Sequence, residues 1–209
     1  MLSLFLMILV SYLIGSIPTS IIASKLLKGI DIRQHGSGNA GATNVFRVMG
    51  WKIGLSVLLI DMAKGYVPTV LFYKLGMKGM DWPAIDLQIL AGVSAIFGHI
   101  WTVFAGFKGG KGVGTGAGML IGLTPIAVLI GILIFAIVVT ASRFVSLGSI
   151  LASISVPVTV FLQSQSADIF PVQLFILSLF VPALIIYTHR KNIQRLLKGE
   201  ESKIQLEKK

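Results

Sequence analysis

The sequence predicts an all-α, polytopic membrane protein of about seven transmembrane helices, and three observations carry that expectation. Only 12% of the 209 residues are charged, against roughly 25% in an ordinary globular domain. Hydrophobic residues make up 55% of the chain, with a mean hydropathy of +0.88. The apolar residues also fall in runs near the ~20 residues that cross about 30 Å of hydrocarbon, punctuated by charges, glycines and prolines. Almost nothing remains for a water-soluble module, so 1–209 reads as a single embedded domain with 190–209 as a tail.

The first run, 2–23, follows no basic segment and shows no clear cleavage site, so it is read as a retained span rather than a signal peptide. The second, 53–73, carries Asp61 and Lys64 three residues apart at its middle, where ionisable groups are costly and usually paired and inward-facing. A structural ion pair is the expectation there. Runs at 87–104, 113–123, 125–141, 147–162 and 171–187 complete the set, the fourth being short and glycine-rich. Glycines at 106, 110, 114, 118 and 122 predict close helix packing along that fourth run, with a slender apolar ligand as the alternative. Beyond the last run, Ile193, Leu196 and Leu197 at near-helical spacing predict a short interfacial helix and then a frayed end.

Loop charge orients the set, because cytoplasmic loops are enriched in lysine and arginine. Lys25, Lys28, Arg33, Arg47, Lys52, Lys108, Lys111, Arg143 and the whole basic tail through Lys208 and Lys209 fall on one side. Lys74 and Lys78 fall on the other, beside Asp81, Asp86 and Asp168. The N-terminus is therefore expected outside and the C-terminus in the cytoplasm, which requires an odd number of spans.

Net charge is +10, a balance that in a soluble chain would suggest nucleic acid. Here the charge follows membrane topology, and no nucleic-acid partner is expected. The absence of cysteine excludes disulfides, thiolate metal sites and cysteine nucleophiles. His35, His99 and His189 lie far apart, and neither they nor the carboxylates reach metal-ligand spacing. No metal and no cofactor are expected.

Three polar segments on the expected cytoplasmic side carry the candidate chemistry. The first is Gly36-Ser37-Gly38-Asn39-Ala40-Gly41-Ala42-Thr43-Asn44-Val45-Phe46-Arg47. Its glycines match a dinucleotide fingerprint formally, but that pattern has meaning only inside a βαβ unit. What remains is local physics. Small residues expose backbone N–H groups, Ser37, Asn39, Thr43 and Asn44 offer hydrogen bonds, and Arg47 offers a planar cation suited to phosphate or an oxyanion. The same residues also fit a tight turn entering the second span.

In the second segment, Gly98-His99 through Phe107-Lys108-Gly109-Gly110-Lys111-Gly112-Val113, the Gly110-Lys111 pair evokes a P-loop. Ala105 stands where the first glycine belongs, and Gly112 replaces the magnesium-holding hydroxyl, which excludes Walker-type hydrolysis. Two lysines among three glycines at a helix N-terminus still form an anion site; lysines at a cytoplasmic helix end also simply satisfy topology. The third segment runs Thr188-His189-Arg190-Lys191-Asn192. On a continuing helix His189 and Asn192 share a face, and a histidine there can accept or shuttle a proton, or stand at the interface without a role. Ser146 reads as a helix cap and Ser149 as a ligand hydrogen bond.

Taken in order, these segments resemble the bacterial acyl-phosphate:glycerol-3-phosphate acyltransferases, the PlsY family of small polytopic enzymes. The resemblance rests on Gly36 to Arg47, on Gly98-His99 through Gly112, and on His189 with Asn192, and extends to Asp61-Met62-Ala63-Lys64-Gly65 and Arg143 to Leu147. One departure is Lys191, where family members often carry an acidic residue. The resemblance implies a bundle in the bacterial cytoplasmic (inner) membrane with its site at the cytoplasmic surface. It implies attack by the 1-hydroxyl of glycerol 3-phosphate on acyl phosphate, giving lysophosphatidic acid and inorganic phosphate for phospholipid synthesis. Ser37, Arg47, Lys111, His189 and Asn192 are the implied catalytic residues. Gly36, Gly38, Asn39, Thr43, Asn44, Lys108, Gly109, Gly110, Gly112 and Ser149 are the implied substrate-binding ones. Membrane lipids and the enzyme supplying acyl phosphate are the implied partners. His189 is either the general base or an orienting group, with a phosphate oxygen of the donor removing the proton.

No His-x-x-x-x-Asp dyad is present, since positions 104 and 194 are Phe and Gln, which accords by resemblance with acyl phosphate as donor rather than a thioester. The rival expectations are a transporter of a small phosphorylated anion, built on broken helices, and a non-catalytic scaffold. A transporter is expected to carry polar groups toward both faces, whereas the outside loops here are short and nearly featureless.

Overall fold

A computed structural model describes residues 1–77, 81–165 and 172–204; Lys78, Asp168, Pro171, Lys208 and Lys209 lie outside them. All regular structure in the described residues is helical. The α-helices are α1 (Leu2–Ser16), α2 (Thr19–Lys28), α3 (Ala42–Met49), α4 (Trp51–Val67), α5 (Tyr73–Gly76), α6 (Ala84–Ile100), α7 (Val113–Leu123), α8 (Pro125–Ser142), α9 (Val145–Ser164), α10 (Val172–Thr188) and α11 (Arg190–Leu197). Helix is the expected answer for apolar runs in lipid, where each backbone N–H and C=O must find its partner inside its own segment.

Among the described residues each of the seven expected runs falls on helix, and they differ in length. Five stretches, Leu2–Lys28, Trp51–Gly76, Ala84–Ala105, Pro125–Ser142 and Val145–Ser164, are long and apolar enough to cross a membrane, and α10 with α11 makes a sixth if that pair, bent by 63°, is taken together. By contrast α7 has 11 residues and reaches only about 16 Å at 1.5 Å per residue, roughly half a bilayer core. Pro125 ends it, by keeping Thr124 out of the helical region, at φ −149°, ψ 73°.

Proline also breaks the first span. Ile17 is driven out of the helical region (φ −56°, ψ 114°) ahead of Pro18, as expected for a residue preceding proline. Its carbonyl is taken up by Lys64 Nζ at 2.7 Å. At Pro68 the helix widens into a π-turn over Pro68–Phe72, a common response to a disturbed hydrogen-bond ladder.

The chain divides into two compact units, Met1–Leu123 and Thr124–Lys209. In the first, α1 packs on α6 and α4 on α7 through small residues. A side-chain carbon added at Gly15 would strike the backbone of Ala95, one at Gly65 that of Thr115, and one at Gly118 that of Met62. The glycine stripe expected to pack closely does so from Gly114 onward, whereas Gly106 and Gly110 lie in the preceding loop. In the second unit α9 packs between α8 and α10. Burial is inverted relative to a soluble bundle: α1 buries Met7, Ser11, Gly15 and Ser16, while Leu129, Leu133 and Ile137 of α8 are exposed. A lipid-facing surface has this character, because hydrocarbon offers no reason to hide leucine.

Candidate active site

In the first unit the segment 31–41 is built around one side chain. Asn44, fully buried at 1% exposure in the first turn of α3, accepts from the Ser37 N–H at 2.8 Å and donates Nδ2 to the carbonyls of Ile32, His35 and Asn39 at 3.0, 2.9 and 3.1 Å. The amide expected to meet substrate is thus spent on shaping the loop. Gly36 and Gly38 adopt φ +60° and +71°, a region glycine enters without steric cost, and Asn44 Oδ1 occupies the space a Gly36 side chain would need. Ser37 is left exposed, with Asn39 half-buried beside it. Thr43 lies in the first turn of α3 and half-buried Arg47 in its last.

The loop's other end is fixed by charge. The Arg33 side chain beside Asp31, and the Arg33 backbone N–H, hold the Asp31 carboxyl at about 2, so the 2.7 Å ion pair persists at any physiological pH. From that pair Arg33 also donates to the Ala105 carbonyl at 3.1 Å, which staples the first loop to the second.

The second loop folds back on the end of α6. Gly109 N–H donates to Ile100 O at 3.0 Å and Gly110 N–H to His99 O at 3.1 Å, so both glycines press against His99 with no room for a side chain. Left-handed conformations at Gly106, Phe107 and Gly112 (φ +65°, +61° and +84°) turn the chain. Phe107 is the unusual one, since an aromatic residue pays about 1–2 kcal/mol to sit there. Thr102 Oγ1 donates to Ser16 O, and the Tyr12 hydroxyl to Trp101 O at 2.7 Å. Lys108 is exposed and Lys111 half-buried immediately before α7, whose first-turn N–H groups point toward the loop.

Between the two loops lies a cluster that the candidate residues omitted. Asp61, Lys64 and His99 are all buried. Lys64 Nζ stands 2.7 Å from Asp61 Oδ1 and 3.5 Å from His99 Nδ1, and His99 Nδ1 stands 3.7 Å from Asp61 Oδ1. The ion pair is therefore present as expected. What the sequence did not show is its place. These three side chains line a pocket together with Ala40 of the first loop, Gly109 and Gly110 of the second, and Pro18 to Ser20 at the break in the first span. The available signal was the i, i+3 pair inside an apolar run; His99 is a span away in sequence.

In the second unit, His189 is buried at the junction of α10 and α11. The helix does not continue straight through it, which corrects the expectation. His189 takes φ −94°, ψ 5°, and the two helices bend by 63°. Its Nδ1 lies 2.8 Å from Ile185 O. A carbonyl can only accept, so Nδ1 is the nitrogen that carries a proton toward Ile185.

Asn192 is buried and donates Nδ2 to Glu201 Oε1 at 2.6 Å. Ser146 does not cap α9, which has no side-chain cap; its hydroxyl also donates to Glu201 Oε1, at 2.8 Å. Ser149 donates to its own helix at Val145 O, 2.9 Å. The tail is held beyond α11 as far as Ile204, whose N–H donates to Arg143 O at 2.8 Å; the rest of the expected frayed end, 205–209, lies outside the described residues. Burial raises the Glu201 carboxyl, but hydrogen bonds from Arg195, Asn192 and Ser146 outweigh it and hold the group below the usual glutamate value.

Known proteins are similar to this chain in sequence and fold. Residues 5–199 match the family described as glycerol-3-phosphate acyltransferase. The glycerol-3-phosphate acyltransferases of Chlorobaculum tepidum and Chlorobaculum parvum are 51% and 50% identical, each alignment covering 98% of this chain and 97% of the relative. Two crystal structures of PlsY (YgiH), an integral membrane glycerol 3-phosphate acyltransferase, superpose over 97% of this chain and 96% of theirs. The glycerol 3-phosphate form has a TM-score of 0.85 at 38% identity, and the lysophosphatidic acid form 0.83 at 37%.

Proposed function

This chain belongs to the integral membrane glycerol-3-phosphate acyltransferase family, and from that premise we propose that it transfers a fatty acyl group from acyl phosphate to the 1-hydroxyl of glycerol 3-phosphate. The products are lysophosphatidic acid and inorganic phosphate, for phospholipid synthesis in the bacterial cytoplasmic membrane. The observation that carries the proposal is the meeting of two glycine loops at one pocket with a buried cation. Both substrates bear phosphate, and exposed amides with fixed positive charge are what phosphate recognition needs. The acyl chain needs lipid, where each buried methylene contributes about 0.8 kcal/mol.

Lys111 and Arg47, with Ser149, hold glycerol 3-phosphate, while the Gly36 to Asn39 loop and Lys108 hold the acyl phosphate, Ser37 donating a hydrogen bond. The hydroxyl oxygen attacks the acyl carbon, the acyl carbon–phosphate oxygen bond breaks, and phosphate departs with that electron pair. An acyl phosphate is already activated, so no acyl-enzyme forms, and positioning supplies much of the rate. His189, whose Nδ1 is engaged by Ile185 O, accepts the hydroxyl proton at Nε2 when its ring is neutral. The loops face the cytoplasm, and the partner is the enzyme that makes acyl phosphate.

The test is phosphate release and lysophosphatidic acid formation by purified, detergent-solubilised protein given glycerol 3-phosphate with palmitoyl phosphate, or with palmitoyl-CoA. Turnover with the phosphate donor only, lost in Lys111→Ala, is the expected result. Turnover with palmitoyl-CoA alone would discard the donor, and no product from either donor would turn the assignment toward transport of a phosphorylated anion. A His189→Gln variant of undiminished rate would remove His189 from the base role.

A further inference from the structure

Asn192 has a partner that its own segment does not supply. Lys191, beside it, is exposed, and the carboxylate that meets the Asn192 amide arrives nine residues later, from Glu201. Beyond α11 the chain turns at Gly199 (φ +71°), and Glu200 N–H donates to Arg195 O at 2.8 Å. The strap ends where Ile204 N–H meets Arg143 O at 2.8 Å. Glu201 lies between those anchors with its side chain 2% exposed, although it belongs to the polar tail beyond the last span.

We propose that Glu201 is a positioning residue for acyl transfer, fixing the Asn192 amide in one of its two orientations. The proposal rests on the reading of this chain as an acyl-phosphate acyltransferase in which Asn192 acts. An asparagine amide presents donor and acceptor at nearly equivalent positions and flips between them unless a neighbour discriminates. An ionised carboxylate only accepts, so Oε1 at 2.6 Å admits Nδ2 and rejects Oδ1. The Asn192 carbonyl oxygen is thereby turned away from Glu201.

The remaining bonds hold Glu201 itself: Ser146 Oγ shares Oε1 at 2.8 Å, and Arg195 Nε pairs with Oε2 at 2.7 Å. The ion pair alone contributes little, because the Arg195 side chain is partly exposed to solvent and such pairs are weak. The arrangement makes most sense through the amide it orients, an outer contact of the kind that tunes a reacting group.

Two variants separate this role from a merely structural one. Glu201→Gln keeps an oxygen for Asn192 and Ser146 but loses the charge facing Arg195, whereas Glu201→Leu loses both. A structural role lowers thermal midpoint and rate alike in the two. A positioning role predicts that Leu costs on the order of 10- to 100-fold in kcat while Gln, the conservative rescue, recovers most of it at a similarly lowered midpoint. Equal rates in the two variants, or no loss in either, overturn the proposal. Should the leucine variant fail to fold, Glu201→Ala assayed with and without added formate reads the same contact, and an absence of recovery counts against it. Wild-type protein is assayed in parallel, so that no product from wild type condemns the acyl-transfer reading, whereas an active wild type with indistinguishable variants condemns only Glu201.

Discussion

Replacing Asn44 with alanine should dismantle the first loop while leaving every exposed candidate side chain in place. The amide makes four polar contacts at 2.8 to 3.1 Å; with one accepting oxygen and two N–H donors shared among three carbonyls, they amount to about three hydrogen bonds, each worth a net ~1 kcal/mol. Water can replace those to Ser37 and His35, which are exposed, but not the one to Ile32, which is 0% exposed. The loop should therefore lose about 2 to 4 kcal/mol. If substrate binds only the ordered loop, apparent affinity falls by the fraction still ordered, which is roughly 30- to 700-fold in kcat/KM. Asn44→Asp is the sharper variant, because a carboxylate keeps the acceptor for Ser37 N–H but faces three carbonyl oxygens with no hydrogen to give them. It should be no more active than the alanine variant. The assay is lysophosphatidic acid formation with glycerol 3-phosphate varied, beside the thermal midpoint in detergent. Activity within about threefold of wild type in either variant would refute the idea that this amide builds the loop.

Three further outcomes are expected. Lys64→Met leaves the buried Asp61 carboxylate without its cation and should cost about 3–5 kcal/mol, read as a large fall in thermal midpoint; adding Asp61→Leu should restore much of it, and a double variant as unstable as the single would contradict this. Gly110→Ala, which drives a methyl group into the His99 ring, should lose far more activity than Gly106→Ala, whose site is open and which bears only a left-handed strain of about 1 kcal/mol; equal losses would show that the contact with His99 is unimportant. For Glu201, a folded-state pKa below the unfolded one gives stability that is complete above the ordinary glutamate value of about 4.3. That stability is lost as pH falls through the folded value. Thermal midpoints measured from pH 6 down to about pH 2.5, below the ordinary glutamate value, should thus decline more steeply in wild type than in Glu201→Gln, and parallel curves would contradict the sign.

Local rules determined much of this protein. Spans at 113–123 and 125–141 emerge as Val113–Leu123 and Pro125–Ser142, because apolar runs in lipid have one backbone solution and proline and glycine mark its ends. Glycine spacing likewise announced close packing, since only backbone can approach where no side chain stands. The two glycine loops were legible as turns rich in backbone amides and cations for the same reason: small residues and fixed charge are properties of a segment.

What needed the tertiary structure was every decision made by a distant partner. Asn44 looked like a ligand group, and its amide is engaged within the loop, because three carbonyls converge on it only after the chain has turned. His99 joined Asp61 and Lys64 only once α6 packed beside α4, and Ser146 looked like a cap until Glu201 folded back from the tail to meet it. Hydropathy and spacing report what one segment does in its solvent. A buried polar atom answers instead to whichever partner the fold delivers, and sequence proximity carries no record of that delivery.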